Sequence, residues 1–440
     1  MYNSSSSPNA ELRLIQRCRE GDLAGVIEVS RIPGVDLNFC NALGMSPLIV
    51  ACHNGRAPVV QYLLDNPVVD VNLVAGHHLF TALHHAAQEG HPEVVRLLLA
   101  CPRFGRENSK DIDGCTALWT ACMRGHTEVV RVLGAHARVL VNEGNANQAS
   151  PLYIACQGGA LEIVRLLLAD PRVDANKPRM DSASPLYIAC QNGHVAVVQL
   201  LLDTPAVLVN ERVVEGATPF FIACQKGNLE ILQIFLLDPR TNLNIPMRDG
   251  TSPLGVILGF GHLEALQLLL ASGRPVGLDS MVILAEAKGL DLLPTWMNLL
   301  ESTGKAKISL HDIAMARGIP ACQDLFVDYV ADPVAAKSQL WALPAVRRHL
   351  QPATELMSLV VFFCDGLLQL TAGEGDSEQA AARLEGARRF FRIAAKIPLE
   401  MQATLCHRTY GLAREMVPAR ELDTMLKVVT RKIVLSEGLE

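Results

Sequence analysis

Residues 184 to 205 read SPLYIACQNGHVAVVQLLLDTP, and the same pattern recurs along more than half of the chain. Each copy begins with a small hydroxyl residue, which is Ser184 here and is found elsewhere at Ser46, Thr81, Thr116, Ser150, Thr218 and Ser252. The interval between successive starts is nearly constant and never varies by more than one position. A period this regular predicts a repeat array, in which every copy folds in the same way.

Each copy predicts two helices joined at a glycine. Ser184 is a favourable N-cap, and Pro185 takes the first helical position, where its missing N–H is tolerated. Gly193 ends the first helix, because glycine readily adopts the left-handed conformation found there. The corresponding glycines are Gly55, Gly90, Gly125, Gly159, Gly227 and Gly261. Apolar residues such as Val197 and Leu201 then predict a second helix, and stacking successive pairs buries the apolar faces.

The copy at residues 81–100, TALHHAAQEGHPEVVRLLLA, resembles the ankyrin repeat, whose signature is T-P-L-H-x-A with Gly-His downstream. The clear resemblance covers residues 46–275 in seven copies. Residues 11–45 read as an eighth, leading repeat, in which Gly21 lies one repeat length before Gly55. The resemblance implies an all-α fold: an ankyrin-repeat solenoid, followed by degenerate helix pairs and a small helical C-terminal domain.

The decay of the repeat pattern predicts four regions. These are a disordered N-terminal tail at residues 1–10, the ankyrin-repeat array at 11–278, degenerate helical pairs at 279–334, and a helical C-terminal domain at 335–440. The tail, MYNSSSSPNA, lacks the basic and apolar segments of a signal peptide. Beyond the array, helices are predicted near residues 283–302, 313–333, 336–350, 354–371, 377–396, 399–415 and 420–434.

Composition limits the classes of partner. The 440-residue chain has a formal net charge of −6, which gives no electrostatic footprint for nucleic acid. No apolar run reaches the length that spans a membrane. The pattern therefore predicts neither a nucleic-acid nor a membrane partner.

Six of the twelve cysteines occupy one column of the repeat: Cys18, Cys52, Cys122, Cys156, Cys190 and Cys224. Neighbours in that column should lie about 8–10 Å apart, too far for a disulfide, whose Cα atoms lie within about 7 Å. No CxxC pair suggests a zinc site. We expect buried thiols in a reducing compartment, the cytoplasm or alternatively the nucleus.

Two other columns are expected to be structural. The first contains Asn38, Asn72, Asn142, Asn176, Asn210 and Asn244, whose amides can bond their own backbone and hold a turn. Asparagine at this position also resembles the sites that asparaginyl hydroxylases modify in some ankyrin proteins. The second contains Trp119, Tyr153, Tyr187 and Phe221, which we expect to pack between repeats, with a partner-facing strip as the alternative.

The resemblance also implies a contact surface, because in ankyrin repeats the residues just before the helix-ending glycine face the concave side. The partner-binding residues predicted there are Asn54, Gln88, Glu89, Met123, Arg124, Gln157, Gln191, Asn192, Gln225 and Lys226. The hairpin tips add Leu43, His78, Asp113, Asn147, Asp181 and Glu215. Uncharged amides dominate this set, and amides bond peptide backbone well. The predicted partner is a protein or peptide of mixed polarity.

The leading functional hypothesis is a non-catalytic, monomeric scaffold for protein–protein interaction, with no catalytic residue, metal or cofactor. One alternative is a ubiquitin-ligase substrate adaptor, because Leu405–Cys406 resembles part of a recruitment box, although Gln402 stands where that box has leucine. The other is an enzyme with unrecognised chemistry in residues 335–440. That region has no glycine-rich phosphate loop or nucleophile elbow, and its scattered His349, Asp365 and His407 form no recognisable catalytic set.

Overall fold

A computed structural model of the chain describes residues 7–272, 274–278, 281–283, 307–316, 319–343 and 346. The chain divides into two compact units, an N-terminal unit, Met1–Ile222, and a C-terminal unit, Ala223–Glu440. The helices predicted beyond residue 346, and the residues named for the adaptor and enzyme alternatives, lie outside the described residues. So does most of the helix predicted at 283–302.

Paired helices fill the N-terminal unit. The first helices of the pairs are α1 Ser7–Glu20, α3 Pro47–His53, α5 Ala82–Glu89, α7 Ala117–Arg124, α9 Pro151–Gly158 and α11 Pro185–Asn192. The second helices are α2 Leu23–Ser30, α4 Ala57–Asp65, α6 Pro92–Ala100, α8 Thr127–Ala135, α10 Leu161–Leu168 and α12 Val195–Leu202. A short antiparallel hairpin precedes α5, and its two strands, β1 Val74–Ala75 and β2 Phe80–Thr81, have two residues each. Helix α13, Pro219–Lys226, crosses the division between the units.

Successive helix pairs stack on one another in this unit. Each first helix packs on the first helix of the next pair, from α3 on α5 to α9 on α11, and the second helices from α2 to α12 pack in the same manner. Side chains such as Leu98 of α6 and Leu133 of α8 are fully buried. The predicted all-α solenoid of stacked helix pairs is therefore confirmed.

The helix start and stop signals are also confirmed. The Ser150 hydroxyl accepts a hydrogen bond from the backbone N–H of Tyr153 at 3.1 Å, and Ser184 caps α11 in the same way. Gly90 and Gly125 end α5 and α7 with φ of 77° and 79°, which is the left-handed conformation. These signals act within a few residues, so the sequence alone is enough to locate them.

Helix α1 begins inside the segment that was predicted to be the N-terminal tail. Residues 1–10 were expected to be disordered, but α1 begins at Ser7. Pro8 is compatible with the first turn of a helix, and Ala10 is buried. Packing of α1 against α2 and α3 extends the leading repeat toward the N-terminus.

The C-terminal unit continues with paired helices and then departs from the predicted pattern. Its elements are α14 Leu229–Leu237, α15 Pro253–Phe260, α16 Leu263–Ala271, β3 Met281–Ile283, β4 Lys307–Ser309, α17 Leu310–Ala316, α18 Pro320–Ala331 and α19 Pro333–Ala342. Strands β3 and β4 pair antiparallel, so the helix predicted from residue 283 is wrong at its start. Helix α19 also runs across the boundary predicted between residues 334 and 335.

Histidine side chains cross several junctions between neighbouring repeats. His126 Nε2 donates to the Gln88 carbonyl oxygen at 2.9 Å, and equivalent bonds join His91 to His53 and His194 to Gln157. The donor follows a helix-ending glycine, and the acceptor lies near the end of the preceding first helix. The sequence predicts a structural role for none of these carbonyls, because donor and acceptor belong to different repeats.

The asparagine column bonds the next repeat rather than its own turn, which corrects the sequence-based expectation. Asn142 Nδ2 donates to the Arg172 carbonyl oxygen at 2.6 Å, and its Oδ1 accepts from the Asp174 N–H at 2.8 Å. Asn108 makes the same pair of bonds, to residues 138 and 140, although the pattern did not place it in the column. Its repeat carries the longer segment CPRFGRENSKDIDG at 101–114, which shifts the spacing.

A guanidinium group closes the end of the preceding second helix in several repeats. Arg103 donates from Nη2 to the Leu64 carbonyl oxygen at 2.5 Å and from Nη1 to that of Val69 at 2.9 Å. Arg172 and Arg274 bond three and four carbonyl oxygens of their preceding repeats in the same manner. A cation at this place also complements the negative end of the helix dipole.

The cysteine column and three of the four residues of the aromatic column are part of the core, as predicted. All six cysteines of the column are free and buried. Burial raises the pKa of Cys18 to about 12 and raises that of Cys52 as well, so these thiols stay protonated. Tyr153 and Phe221 are buried, whereas Tyr187 is half-buried. Trp119 is 7% exposed, and its Nε1 donates to the Ala149 carbonyl oxygen at 3.0 Å.

Candidate interaction surface

The hairpin tips of the N-terminal unit form a continuous row. The N–H of Ala146 donates to the Asp113 carbonyl oxygen at 2.9 Å, and that of Met180 to Asn147 at 3.1 Å. Equivalent bonds link residue 112 to 78 and residue 214 to 181. The backbone thus holds the predicted tip residues His78, Asp113, Asn147 and Asp181 one repeat apart.

Large apolar side chains are exposed along this row. Ile112 is 61% exposed and Met180 is 63% exposed, and Leu43, Leu79 and Val214 are exposed at other tips. The row therefore places exposed apolar groups next to the exposed carboxylates of Asp113 and Glu215. The sequence pattern did not identify Ile112 and Met180, since only the position after them was taken as the tip.

A cleft of about 380 Å³ opens beside the row, between the ends of α5 and α7 and two hairpins. Its lining includes Gln88, Met123 and Arg124 of the predicted partner-binding residues, together with the tip residues Asp113 and Asn147. Trp119 also lines the cleft, although a partner-facing role for it was only the alternative expectation from the sequence. Sequence reasoning did not predict the other lining residues, which are Phe80, Asp111, Cys115, Thr120, Asn145 and Ala146. Most of these lie in hairpins, where a pattern of helix periodicity carries no signal.

Two short polar side chains shape the hairpins at the cleft. Asp111 Oδ1 accepts from the backbone N–H groups of Asp113, at 2.9 Å, and Cys115, at 2.8 Å. Asn145 Oδ1 accepts the two equivalent bonds in the next hairpin. Burial raises the pKa of the Cys115 thiol to about 12, and the carboxylates of Asp111 and Asp113 act in the same direction. Cys115 is therefore a protonated thiol and a poor nucleophile.

The other predicted partner-binding residues of the N-terminal unit do not line the cleft. Glu89 and Gln191 are exposed, and Gln157 is exposed with its carbonyl oxygen bonded to His194. Asn192 Nδ2 donates to that same carbonyl oxygen at 2.8 Å, so its side chain has a structural partner. The Asn54 amide is likewise bonded, to the backbone of its own helix.

In the C-terminal unit, Lys226 is exposed and Gln225 is half-buried. The Gln225 carbonyl oxygen accepts from His262 Nε2 at 3.0 Å. These two residues therefore occupy the same place in their repeat as Gln88 and Glu89 do in theirs. Whether any of the predicted residues binds a partner stays a prediction.

His85 lies next to Phe80, which lines the cleft. Its ring centroid is 5.3 Å from that of Phe80 and 5.4 Å from that of His53. Both ring nitrogens of His85 are buried, with no hydrogen-bond partner among the described residues. Burial lowers the pKa of His85 to about 4; His53 and His84 add to the lowering, and Glu89 opposes it.

Acidification is expected to destabilise the repeats around His85. The unfolded chain takes up this proton near the ordinary pKa of 6.5, and the folded chain only near 4. Between these values the unfolded state binds more protons, so stability falls as the pH falls. From about pH 7.5 to about pH 5 we expect His85 to contribute a loss of about 2 kcal/mol.

Native-state hydrogen exchange of the α5 amides at the two pH values measures this loss. His85→Val is the comparison, because Val50 occupies the equivalent position in α3 and is buried without titrating. The variant should lack the additional loss of about 2 kcal/mol. An equal loss in both proteins would show that other groups, and not His85, govern the pH dependence.

No group of three or more potential metal-ligating side chains occurs in the described part of the chain. No helix among the described residues is long and apolar enough to cross a membrane.

Comparison with known proteins points to one family. The model of a family described as ankyrin repeats matches three times, over residues 14–107, 103–179 and 186–280. The chain is 35% identical over 112 residues to the E3 ubiquitin-protein ligase hecd-1 of Caenorhabditis elegans, which covers 26% of this chain and 4% of the ligase. It is 34% identical over 89 residues to the SMC5-SMC6 complex localization factor protein 1 of Homo sapiens and of Bos taurus, covering 20% of this chain and 8% of each relative. The chain therefore spans a small part of the length of these relatives.

Proposed function

Because the chain belongs to the ankyrin-repeat family, we propose that it is a non-catalytic scaffold that holds a protein or peptide partner against its first-helix ends and hairpin tips. The observation that supports this proposal best is the cleft, where Gln88, Met123 and Arg124 from two helices meet the tip residues Asp113 and Asn147. Polar, charged and apolar groups lie together there, as in the contact surfaces of proteins.

The partner is a protein rather than a nucleic acid or a membrane, since the chain is acidic overall and its exposed hairpin tips carry carboxylates. The scaffold acts as a monomer in a reducing compartment, the cytoplasm or the nucleus. The buried, protonated thiols support that compartment, because none of them has a disulfide partner among the described residues.

The adaptor and enzyme hypotheses place their functional residues after position 335. The similarity to an E3 ubiquitin-protein ligase covers 4% of that protein and supports no ligase activity in this chain. Binding by the repeats is common to the scaffold and adaptor hypotheses, so it is the property to test first.

The test uses the full chain to select binders from a library of random dodecapeptides displayed on phage. Met123→Ala with Arg124→Ala should weaken the selected peptides by at least tenfold in Kd, measured by calorimetry. Both residues are exposed, so stability should change by no more than about 0.5 kcal/mol.

The matched control lies on the other helix of the same repeat. Glu128 and Arg131 of α8 are exposed and form an i,i+3 ion pair at 3.2 Å. Their replacement by alanine should leave the affinity unchanged. If the α7 double variant binds every selected peptide normally, or if the α8 variant is the one that loses binding, this surface is not the binding site.

A further inference from the structure

In the repeat that follows the cleft, an arginine of the chain itself occupies the position equivalent to the cleft. In the hairpin of residues 179–184, the Arg179 guanidinium lies 5.9 Å from the ring centroid of Tyr153. It also donates from Nη2 to Asp181 Oδ2 at 2.5 Å. An aromatic ring and a carboxylate thus hold this cation together.

One repeat earlier, the equivalent ring lines the cleft instead. Trp119 stands one repeat length before Tyr153, and Asn145 stands at the same interval before Arg179. Asn145 is too short to reach over the indole, and its Oδ1 is engaged by two backbone N–H groups. Both Trp119 and Asn145 line the cleft of about 380 Å³. The cleft therefore occupies the space that a guanidinium fills in the next repeat.

The charge of the cleft fits the same ligand. Asp111 and Asp113 supply two carboxylates and Arg124 one guanidinium, so the lining has a formal charge of −1. The basic residue nearest to Asp111 in sequence, Lys110, is paired with Glu143 at 2.8 Å instead. A cationic side chain placed over Trp119 would meet these carboxylates in a partly enclosed site, where the attraction is stronger than in water.

We propose that the cleft binds a cationic side chain, arginine above all, carried by an unstructured segment of the partner protein, and that an apolar residue of that segment packs on the exposed tip residues Ile112 or Met180. The proposal rests on the proposed function and names the chemistry of its partner. Arg124 at the cleft then bonds a backbone carbonyl oxygen of the bound segment. Nucleic acid and anionic membranes lack the positive charge that this site selects.

The chain offers substitutions that change the charge of the cleft and keep its turns. Asparagine already stands at the equivalent positions of the next hairpin, where Asn145 corresponds to Asp111 and Asn147 to Asp113. Asp111→Asn with Asp113→Asn should weaken the selected peptides at least tenfold. Glu93→Gln with Glu128→Gln, on the exposed faces of α6 and α8, changes the net charge by the same amount and should leave binding unchanged.

Asn145→Arg tests whether an arginine of the chain can fill the cleft as Arg179 fills the equivalent place in the next repeat. Arginine occupies the equivalent position at residue 179 without disturbing that hairpin, so the variant should fold. Its own guanidinium should fill the cleft over Trp119 and abolish peptide binding. An Asn145→Arg variant that is stable and still binds the peptides with the parent's affinity overturns the proposal.

The peptides themselves supply the remaining test. Some selected peptides should bind the Met123→Ala, Arg124→Ala double variant more weakly than they bind the parent. These peptides should be enriched in arginine or lysine. Resynthesis of the tightest one with that residue replaced by norleucine should raise Kd at least tenfold. Methylguanidinium alone should bind at least a hundredfold more weakly than the peptide, whereas equal affinity would make the ligand a small cation.

The two failures are distinguishable. If no peptide depends on Met123 and Arg124, the proposed function fails at this surface. If peptides depend on those residues but tolerate norleucine and the double aspartate variant, the scaffold function stands and the cationic-ligand proposal is wrong.

Discussion

Gly90→Ala is expected to lower the local free energy of unfolding by about 3 kcal/mol, whereas Gly125→Ala should lower it by about 1 kcal/mol. The two glycines have nearly the same left-handed φ, at 77° and 79°. They differ in what a methyl group would meet. A Cβ on Gly90 would lie 2.7 Å from His126 Nδ1, but a Cβ on Gly125 would meet nothing within 4 Å.

The difference arises because residue 160, which corresponds to His126, is alanine. Gly125→Ala therefore measures the backbone strain alone, and Gly90→Ala adds the displacement of an imidazole that bonds the Gln88 carbonyl oxygen. Hydrogen exchange of the α5 and α7 amides measures both losses. A double-mutant cycle with His126→Ala should show a coupling of about 1–2 kcal/mol. Equal losses for the two glycines would mean that the ring moves aside at little cost.

Arg103→Ala is expected to destabilise the end of α4 by about 2 kcal/mol, because its guanidinium supplies hydrogen bonds to several carbonyl oxygens at once. Arg103 Nη2 donates to the carbonyl oxygens of Leu64 and Asn66 at 2.5 and 3.0 Å, and its Nη1 donates to that of Val69 at 2.9 Å. Arg103→Lys should recover only part of this loss, since an ammonium keeps the charge but cannot match the planar fork.

The control for this prediction is Arg96→Ala on α6. Arg96 is exposed and pairs with Glu93 at 2.7 Å as an i,i+3 pair, so its removal should cost less than about 0.5 kcal/mol. Faster exchange of the amides near residues 63–69 in Arg103→Ala, and not in Arg96→Ala, is the expected observation. If Arg103→Lys kept the full stability of the parent at the end of α4, the charge of Arg103 alone, and not its planar guanidinium, would explain the effect.

Local rules account for the part of the fold that the sequence predicts well. A cap such as Ser184, a proline such as Pro185 and a glycine such as Gly193 each act close to the helix end that they define. The regular repeat interval then states which helices are equivalent, so the stacking of pairs could be predicted. The β3–β4 pairing could not, because it joins strands that lie far apart in the sequence and whose composition also suits a helix.

The sequence likewise predicts one part of the candidate site and not the other. Family resemblance identified Gln88, Met123 and Arg124, because their place before a helix-ending glycine is visible in the sequence. It did not identify the cleft itself, which depends on a short side chain at residue 145 where the next repeat has Arg179. The cleft thus arises from a three-dimensional difference between two neighbouring repeats, one with arginine over its aromatic ring and one without. The sequence shows Asn145 and Arg179, but not that Arg179 lies over the Tyr153 ring while the Trp119 ring lines the cleft.

The alanine at position 160 also makes one junction of the stack differ from its neighbours. In the N-terminal unit, the equivalent side chains Arg56, His91, His126 and His194 each donate to a carbonyl oxygen of the preceding repeat, and Ala160 has no group that can do so. The junction between the repeats of α7 and α9 therefore lacks this bond, and Arg172 joins its second helices instead, by donating to three carbonyl oxygens at and after the end of α8. It is also the joint that the cleft straddles, with Met123 on one side and Asn147 on the other. Beside the cleft, the two repeats are joined by the Trp119 bond to the Ala149 carbonyl oxygen and by the Ala146 N–H bond to that of Asp113, without a contribution from an imidazole.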